Sequence, residues 1–417
     1  MLWNSIGSIT RLGCNYLITI IVVRLSTGYD AAGVLALAMS VNNLVAPFAD
    51  FRLRTVHVTD VRGEHSASEY MGMRLLCTAL CFVVGSIYAV ITCALDAFPS
   101  IALYLLASLA ANIIEGLHAV DQRHNRMDYI GISYIMQGIS NLLLFSVVFG
   151  VTGSLELSLL SMFIATSLIL LLFDIPHAGR LEIVRPALKL HDAIATLVGL
   201  SPLVMAQVLS SGVLTIPRQY LSSSMGAAAL GIYASVASPA AVVQMGASYI
   251  YSPLLGSFAK DFRDDLSAAF RLLAKTSAAV AAVGAGCALL LLLLGDWVLA
   301  LFFGSDIVQY SYLLQPAVLC TLITAYTWFM NDLLLTLRDY RACFTGSAVS
   351  IVATLICFKF MVDTFGMNGV SWTGVFSYAL SVVTLFIFLF HDTSGKKQAR
   401  GKNQRENDTS RSPCVRQ

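Results

Sequence analysis

The sequence predicts an all-α polytopic membrane protein, with about twelve transmembrane helices in two pseudo-symmetric six-helix bundles. Three observations carry that expectation. The chain is 57% hydrophobic and 12% charged with a mean hydropathy of +0.76, more apolar surface than a core folded in water can hide. The apolar residues gather into twelve stretches, each near the roughly 20 residues that carry a helix across a hydrocarbon core. Landmarks of the first six stretches also recur, in order, in the second six. A closed barrel is the other way to satisfy backbone groups in lipid, but its alternating ten-residue strands are absent.

The first stretch, 2–23, carries Arg11 at mid-length and no small-residue cleavage site, so it is expected to remain as a helix rather than leave as a signal peptide. The second, 31–50, contains Pro47 and runs into FADFRLRTVHVTDVRGEHSASEY at 48–70, where three arginines, four carboxylates and two histidines crowd together. Stretches at 71–94 and 99–118 follow, then 130–151 and 155–173, the last two almost touching. DIPHAGRLEIVRPALKLHD at 174–192 is the longest well-marked linker and splits the helices six and six. After it come 193–214, 227–250, 269–294, 310–335, 343–362 and 368–390, with Pro202, Pro239 and Pro316 interrupting three of them. Proline removes one helical hydrogen bond, so these sites and Pro47 are hinges or static bends. The organisation is therefore a bundle at 1–173, a linker at 174–192, a second bundle at 193–390 and a polar, basic tail at 391–417 that reads as disordered.

The repeat rests on order and spacing. AAGVLALAMSV at 31–41 matches AALGIYASVAS at 228–238, and Gly33 precedes Arg74 by 41 residues where Gly231 precedes Arg271 by 40. RHNRMDYIG, with Arg123, Arg126 and Gly131, matches RDYRACFTG, with Arg338, Arg341 and Gly346, at identical spacing. FGVTG at 149–153 matches FGMNG at 365–369. One interval departs: Arg74 to Arg123 spans 49 residues but Arg271 to Arg338 spans 67, so extra length lies around helices nine and ten. Halves separated by six helices share orientation and are related by an axis along the membrane normal. The cleft between them is where a transporter would hold cargo.

Net charge is only +2, but its distribution is lopsided. With the N-terminus inside, the inner loops and tail take 22 of the 26 Lys and Arg, and the outer loops keep Arg24 and Arg218. The positive-inside rule then places both termini in the cytoplasm. The charged 48–70 segment becomes an inner loop, matched by YSPLLGSFAKDFRDDLSAAF at 251–270. Eight of nine cysteines fall within predicted helices without a C-x-x-C spacing, as expected of small packing residues.

Charges inside apolar segments are the candidate site residues, since a membrane-embedded ion is costly unless it meets a wet cavity or a partner. Arg11, on the order of 15 Å into its helix, is the first; its alternative is to snorkel to the inner surface. Arg24 and Arg218 are repeat-related, and Arg24 has Asp30 close by as a structural clasp. Arg52 and Arg54 stand nearest the helix end in the charged loop and mark a cytoplasmic mouth. Glu115 and Asp332, with Asp30, are positions for a coupling proton or for ion pairs.

These features together resemble the oligosaccharide flippases of the multidrug/oligosaccharidyl-lipid/polysaccharide exporter superfamily: two parallel six-helix halves, an early RLS…DAAGVLALA segment, a charged loop between helices two and three, and F-G-x-x-G before helices six and twelve. The resemblance covers residues 1 to about 390 and rests on diffuse glycine and aromatic patterns. It implies transport of a lipid-linked oligosaccharide, usually on undecaprenyl diphosphate, from the inner to the outer leaflet of a bacterial cell membrane. It also implies that Arg11, Arg24 and Arg218 are cavity cations for diphosphate oxygens, since arginine binds such groups bidentately. Membrane lipids and glycan assembly enzymes are the implied partners. The chain departs from the family pattern in opening with MLWNSIG and no basic leader.

Competing functions are less well served. A cation-coupled drug exporter of the same superfamily is expected to carry acid in its first helix, which here holds Arg11 and no carboxylate. A sugar transporter of the other large twelve-helix class would show G-x-x-x-D-R-x-G-R-R after helix two. A membrane enzyme, such as a glycan polymerase or acyltransferase, needs reactive groups in a loop, and the outer loops hold no histidine. No phosphate loop, metal motif, cofactor site or nucleic-acid-binding pattern is present, so no cofactor, metal or nucleic-acid partner and no catalysis are expected.

Overall fold

The structure, a computed structural model, describes residues 2–60 and 63–410, with side chains described for 3–60 and 63–391. Among the described residues there is no strand, and twelve helices are long and apolar enough to cross a membrane. They are α1 (Trp3–Leu25), α2 (Asp30–Thr59), α3 (Ala67–Thr92), α4 (Phe98–Arg123), α5 (Met127–Thr152), α6 (Leu155–Leu181), α7 (Leu190–Met225), α8 (Ala227–Asp264), α9 (Leu266–Phe303), α10 (Ser305–Thr336), α11 (Tyr340–Phe365) and α12 (Asn368–His391). Each overlaps one predicted stretch.

The helices pack as two six-membered halves, and every main pairing in the first has a counterpart in the second. α1 against α5 is repeated by α7 against α11, and α2 against α3 and α4 by α8 against α9 and α10. The contacts α3–α4, α4–α6 and α5–α6 recur as α9–α10, α10–α12 and α11–α12. α2 alone packs broadly across the divide, on α7 and α8. Alternating direction puts 50–66, 124–126, 182–189, 337–339 and the end of α12 at one end of the bundle, here the basic end. Arg24 lies at the opposite end.

Close backbone approach replaces the hydrophobic effect as the glue between helices in lipid. At the opposite end, α2 and α8 touch through the repeat-related glycines. A Cβ on Gly33 would stand 1.8 Å from the Ala227 carbonyl oxygen, and one on Gly231 would stand 2.1 Å from that of Tyr29. Only glycine allows this seam.

The prolines fall in different places. Pro239 sits in a short 3-10 turn, Ser238–Ala240, that interrupts α8. Pro47 lies one turn before the break in α2 at Phe51 and Arg52, while Pro202 is accommodated inside the continuous Leu190–Met225 helix. Pro316 opens the regular part of α10 (Leu314–Thr336), in the first turn, where no helical hydrogen bond is lost, so it does not interrupt that helix.

Several boundaries differ from expectation: α2, α7, α8 and α9 run on to Thr59, Met225, Asp264 and Phe303, and two further differences change the connections. α6 does not stop at residue 173: a π-helical turn, Leu170–Asp174, carries it on to Leu181, leaving 182–189 as the non-helical connection before α7. The extension is held by burial of Asp174, which accepts hydrogen bonds from Ser133. The last helix is continuous to Ser410, so the backbone of 391–410 is helical where the sequence suggests disorder. Lys, Arg, Gln and Glu in KKQARGKNQREN are good helix formers and prolong the apolar span. Residues 411–417 lie outside the described residues.

Candidate functional site: a cavity between the halves

A cavity of about 680 Å³ lies between the two halves. α2 and α4 contribute Asn43, Asp50, Arg52 and Asn112, and the second half contributes Gln207, Arg218, Gln244, Trp328, Asn331 and Asp332. The cavity reaches the basic end at Arg52 and Asp332 and stops short of the Gly33–Gly231 seam, which closes the opposite end. Polar groups in a lipid-embedded wall are costly, so this density of amides and charge marks a water-filled compartment.

The backbone at the mouth is specialised. α2 breaks at Phe51 and Arg52, both left-handed at φ 44° and 54°, a conformation few non-glycine residues adopt. The bend is held by Arg74, one of the largest fully buried side chains, which donates to the Ala49 and Asp50 carbonyls at 3.2 and 3.1 Å and pairs with the Asp50 carboxylate at 3.0 Å. A guanidinium satisfying the last carbonyls of a helix also complements its dipole. The break turns Arg52 into the cavity, near enough to Asp332 for the two charges to interact. Asp332 accepts from the Tyr251 hydroxyl at 3.0 Å.

Arg218 stands at the other end of the cavity, among Tyr233, Tyr378 and Cys320. It makes no ion pair or hydrogen bond among the described residues, and its Nε is buried without a partner. Asn331, also in the wall, has an unpartnered buried Oδ1.

Three other sequence candidates meet away from the cavity. Arg11 reaches Glu115 at 3.2 Å and lies 4.1 Å over the Tyr134 ring, while Arg54 binds the other oxygen of the same carboxylate. Arg54 also donates to Gln122 and Tyr134, and Tyr134 donates to Glu115 at 2.8 Å. The result is a knot inside the first half, two guanidiniums on one carboxylate, and none of the three residues lines the cavity. Arg24 is not in the lining either. It caps α9 across the divide, donating to the carbonyls of Ala300, Leu301 and Phe302 at 3.0, 2.5 and 2.8 Å. It makes no pair with Asp30, which forms no ion pair among the described residues; the last carbonyls of α9 take the Nε and Nη2 donors of Arg24 instead.

Sequence reasoning passed over a further buried group. His118 pairs with Asp174 at 3.3 Å, and Ser133 and Gln137 complete the chain. Neither His118 nor Asp174 stands in a recognisable spacing, because the π turn that brings Asp174 into place has no sequence signature. The charged 48–70 segment is mostly helix, since α2 runs to Thr59 and α3 starts at Ala67, and at the short connection between them Glu64, His65 and Tyr70 gather on Asp60. Burial works against its carboxylate, but N–H groups of Glu64 and His65 and the Tyr70 hydroxyl donate to it and hold it down at about 2. Lys189 in the connection before α7 is raised by its hydrogen bond to Glu69 at 2.6 Å. Among the described residues no cluster of His, Cys, Asp and Glu is arranged to hold a metal.

Comparison with solved structures decides the fold. One described as the inward-facing conformation of a multidrug resistance MATE family transporter of the MOP superfamily superposes with a TM-score of 0.73 at 12% identity, over 94% of this chain and 99% of that one. Lipid II flippase MurJ, inward closed, superposes at 0.72 and 10% identity, over 93% and 87%. The fold is that of MOP superfamily transporters. An outward-facing MATE transporter superposes less well, at 0.56 over 94% of each chain, consistent with the seam closed at the opposite end. In sequence, the capsular polysaccharide biosynthesis protein CapF of Staphylococcus aureus is 22% identical over 388 residues, 92% of this chain and 96% of that protein. No protein-family model matches the sequence. The chain is thus a multi-pass membrane protein with a transporter fold.

Proposed function

We propose that this protein is a flippase that moves a lipid-linked oligosaccharide, on a carrier such as undecaprenyl diphosphate, from the inner to the outer leaflet of a bacterial plasma membrane by alternating access. The observation that carries the reading is the cavity itself. It is wide, lined by amides and by Arg52 and Arg218, and set between two halves that touch tightly at one end. Sugar hydroxyls suit the amides, a diphosphate suits a guanidinium, and a prenyl chain has a place in the surrounding lipid. The lopsided basic residues support the basic end, with both termini, as cytoplasmic. The likeness to CapF supports a place in surface-glycan assembly beside the enzymes that build the glycan.

The reading is tested in proteoliposomes holding a fluorescent oligosaccharide on undecaprenyl diphosphate, with a membrane-impermeant quencher reporting leaflet. Protein-dependent transfer between leaflets is the expected result. No transfer of the lipid, together with proton- or sodium-driven movement of cationic dyes, would replace this reading with a drug exporter.

A further inference from the structure

The repeat breaks at one place, and the structure shows where the extra length goes. Arg74 and Arg271 are equivalent positions 197 residues apart. On that offset the last residue of α3, Thr92, corresponds to position 289, yet α9 runs on to Phe303, about 20 Å farther as a helix. This extension leaves its own half and lies on α1. Leu299, Phe303 and Ile307, which follows on α10, are buried in one apolar cluster with Val22 and Val23 of α1 and Phe149 of α5. The Phe302 ring meets Tyr16 of α1 edge-on at 6.1 Å. Arg24 donates to the carbonyls of Ala300, Leu301 and Phe302, and Gly304, at a positive φ of 103°, ends the helix beside it. The other face of the extension, with Leu292, Leu293, Trp297 and Leu301 between 52% and 73% exposed, is turned to lipid.

This strap makes the two edges between the halves unlike. On the α7 edge, contact runs from end to end. Ala193 of α7 is buried with Tyr70, Met73 and Cys77 of α3 near the basic end. Midway, Thr215 donates to the Ser40 carbonyl at 3.2 Å, and near the closed end the Tyr88 hydroxyl donates to Gln219 at 2.6 Å. On the α1 edge, the strap and a hydrogen bond of 3.4 Å from Ser238 of α8 to the Tyr16 hydroxyl close the end that holds Arg24. Toward the basic end, Ile9 and Leu12 of α1 and Val242 and Tyr249 of α8 are exposed.

A lipid with its headgroup in the cavity and its prenyl chain outside has to be threaded between the halves at one edge. The α1 edge presents exposed apolar faces, and the strap bars it at the level of the outer leaflet. That bar is easily exchanged. Apolar contact between helices gains little in lipid, because a prenyl chain satisfies the same surface. Arg24 is the polar latch.

We propose that the outer extension of α9 is a lateral gate. Latched on α1 by Arg24, it closes the outer-leaflet half of this edge, and its release lets the prenyl chain of the cargo enter that leaflet. This rests on the flippase reading and adds the route by which the lipid leaves.

The test uses the full chain in the proteoliposome assay. Tyr16→Cys and Phe302→Cys are joined by a short bis-maleimide with a reducible link, with single-cysteine variants treated alike as the control. Locking is expected to lower leaflet transfer about tenfold or more relative to the unlinked double variant, with recovery on reduction. With a photoreactive group on the prenyl chain, adducts should form on α1 and the outer part of α9 during transfer by the native protein. Arg24→Gln should speed maleimide labelling of the Phe302→Cys variant several-fold, with Arg24→Lys in between, while a Leu37→Cys reporter beside the Gly33–Gly231 seam stays as slow as before. Thermal unfolding establishes that each variant is folded. Undiminished transfer by the locked protein, or adducts on Tyr88 and Gln219 in place of α1 and α9, would overturn the gate and leave the flippase reading standing. No transfer by the native protein would remove the flippase reading and the gate with it.

Discussion

Arg11 and Arg218 are membrane-embedded guanidiniums, one in each half, in opposite surroundings. Arg11 is locked between a carboxylate it shares with Arg54 and an aromatic face, inside its own bundle. Arg218 has no counter-charge and faces the cavity between bundles. In sequence Arg11 stands inside an apolar run and Arg218 at the border of one, yet a cation that already has a carboxylate and an aromatic face beside it has less left for a ligand. One without a partner is free to meet an anion that enters the cavity.

The largest way to break that contrast is Glu115→Ala, which strands both Arg11 and Arg54. Loss of one partner from a buried ionic cluster costs about 3–5 kcal/mol, and thermal unfolding in detergent should show it. An unchanged melting curve would mean that the knot is not structural. Gly231→Leu comes next. Forcing a side chain into the seam costs about 1–3 kcal/mol and should push the molecule toward the form open at the opposite end. Faster labelling of a Leu37→Cys reporter by an impermeant maleimide, from the side of the seam, is the expected sign.

Arg24→Ala removes the cap on α9 and should cost about 1–2 kcal/mol; a larger loss, coupled to faster Leu37→Cys labelling, would make this cap part of the seam. Arg218→Gln should leave stability unchanged or raise it, because it removes an unpaired charge. A marked destabilisation would mean that Arg218 has a structural partner and would erase the contrast with Arg11.

The smallest effect concerns Asp60. Its carboxyl is held at about 2, below its ordinary 3.8, so its contribution is present above pH 3.8 and is lost as pH falls toward 2. Asp60→Asn should cost no more than about 1 kcal/mol at neutral pH. In hydrogen exchange of residues 64–70, extra opening is expected of the native protein near pH 2, and Asp60→Asn should abolish that pH dependence.

The fold was readable in advance because lipid imposes simple rules. A span needs about 20 apolar residues and a self-satisfied backbone, so twelve runs became twelve helices. The glycines that mark the repeat, Gly33 and Gly231, proved to be the positions where the halves touch. The site was only partly readable. Arg218 and Arg52 stood out as charges at apolar borders and do line the cavity. Arg24 stood out equally and is a helix cap instead.

Sequence alone determined how many helices there are, the order of the two halves and which few residues carry charge within them, because hydropathy and spacing are properties of the chain read in one dimension. Tertiary structure decided which of those charges find partners. The partners of Arg11 lie 104 and 123 positions away at Glu115 and Tyr134, and those of Arg24 lie 276 to 278 positions away. No local pattern encodes such distances. Arg218 differs from both only in what the fold leaves beside it, an open cavity and no acid.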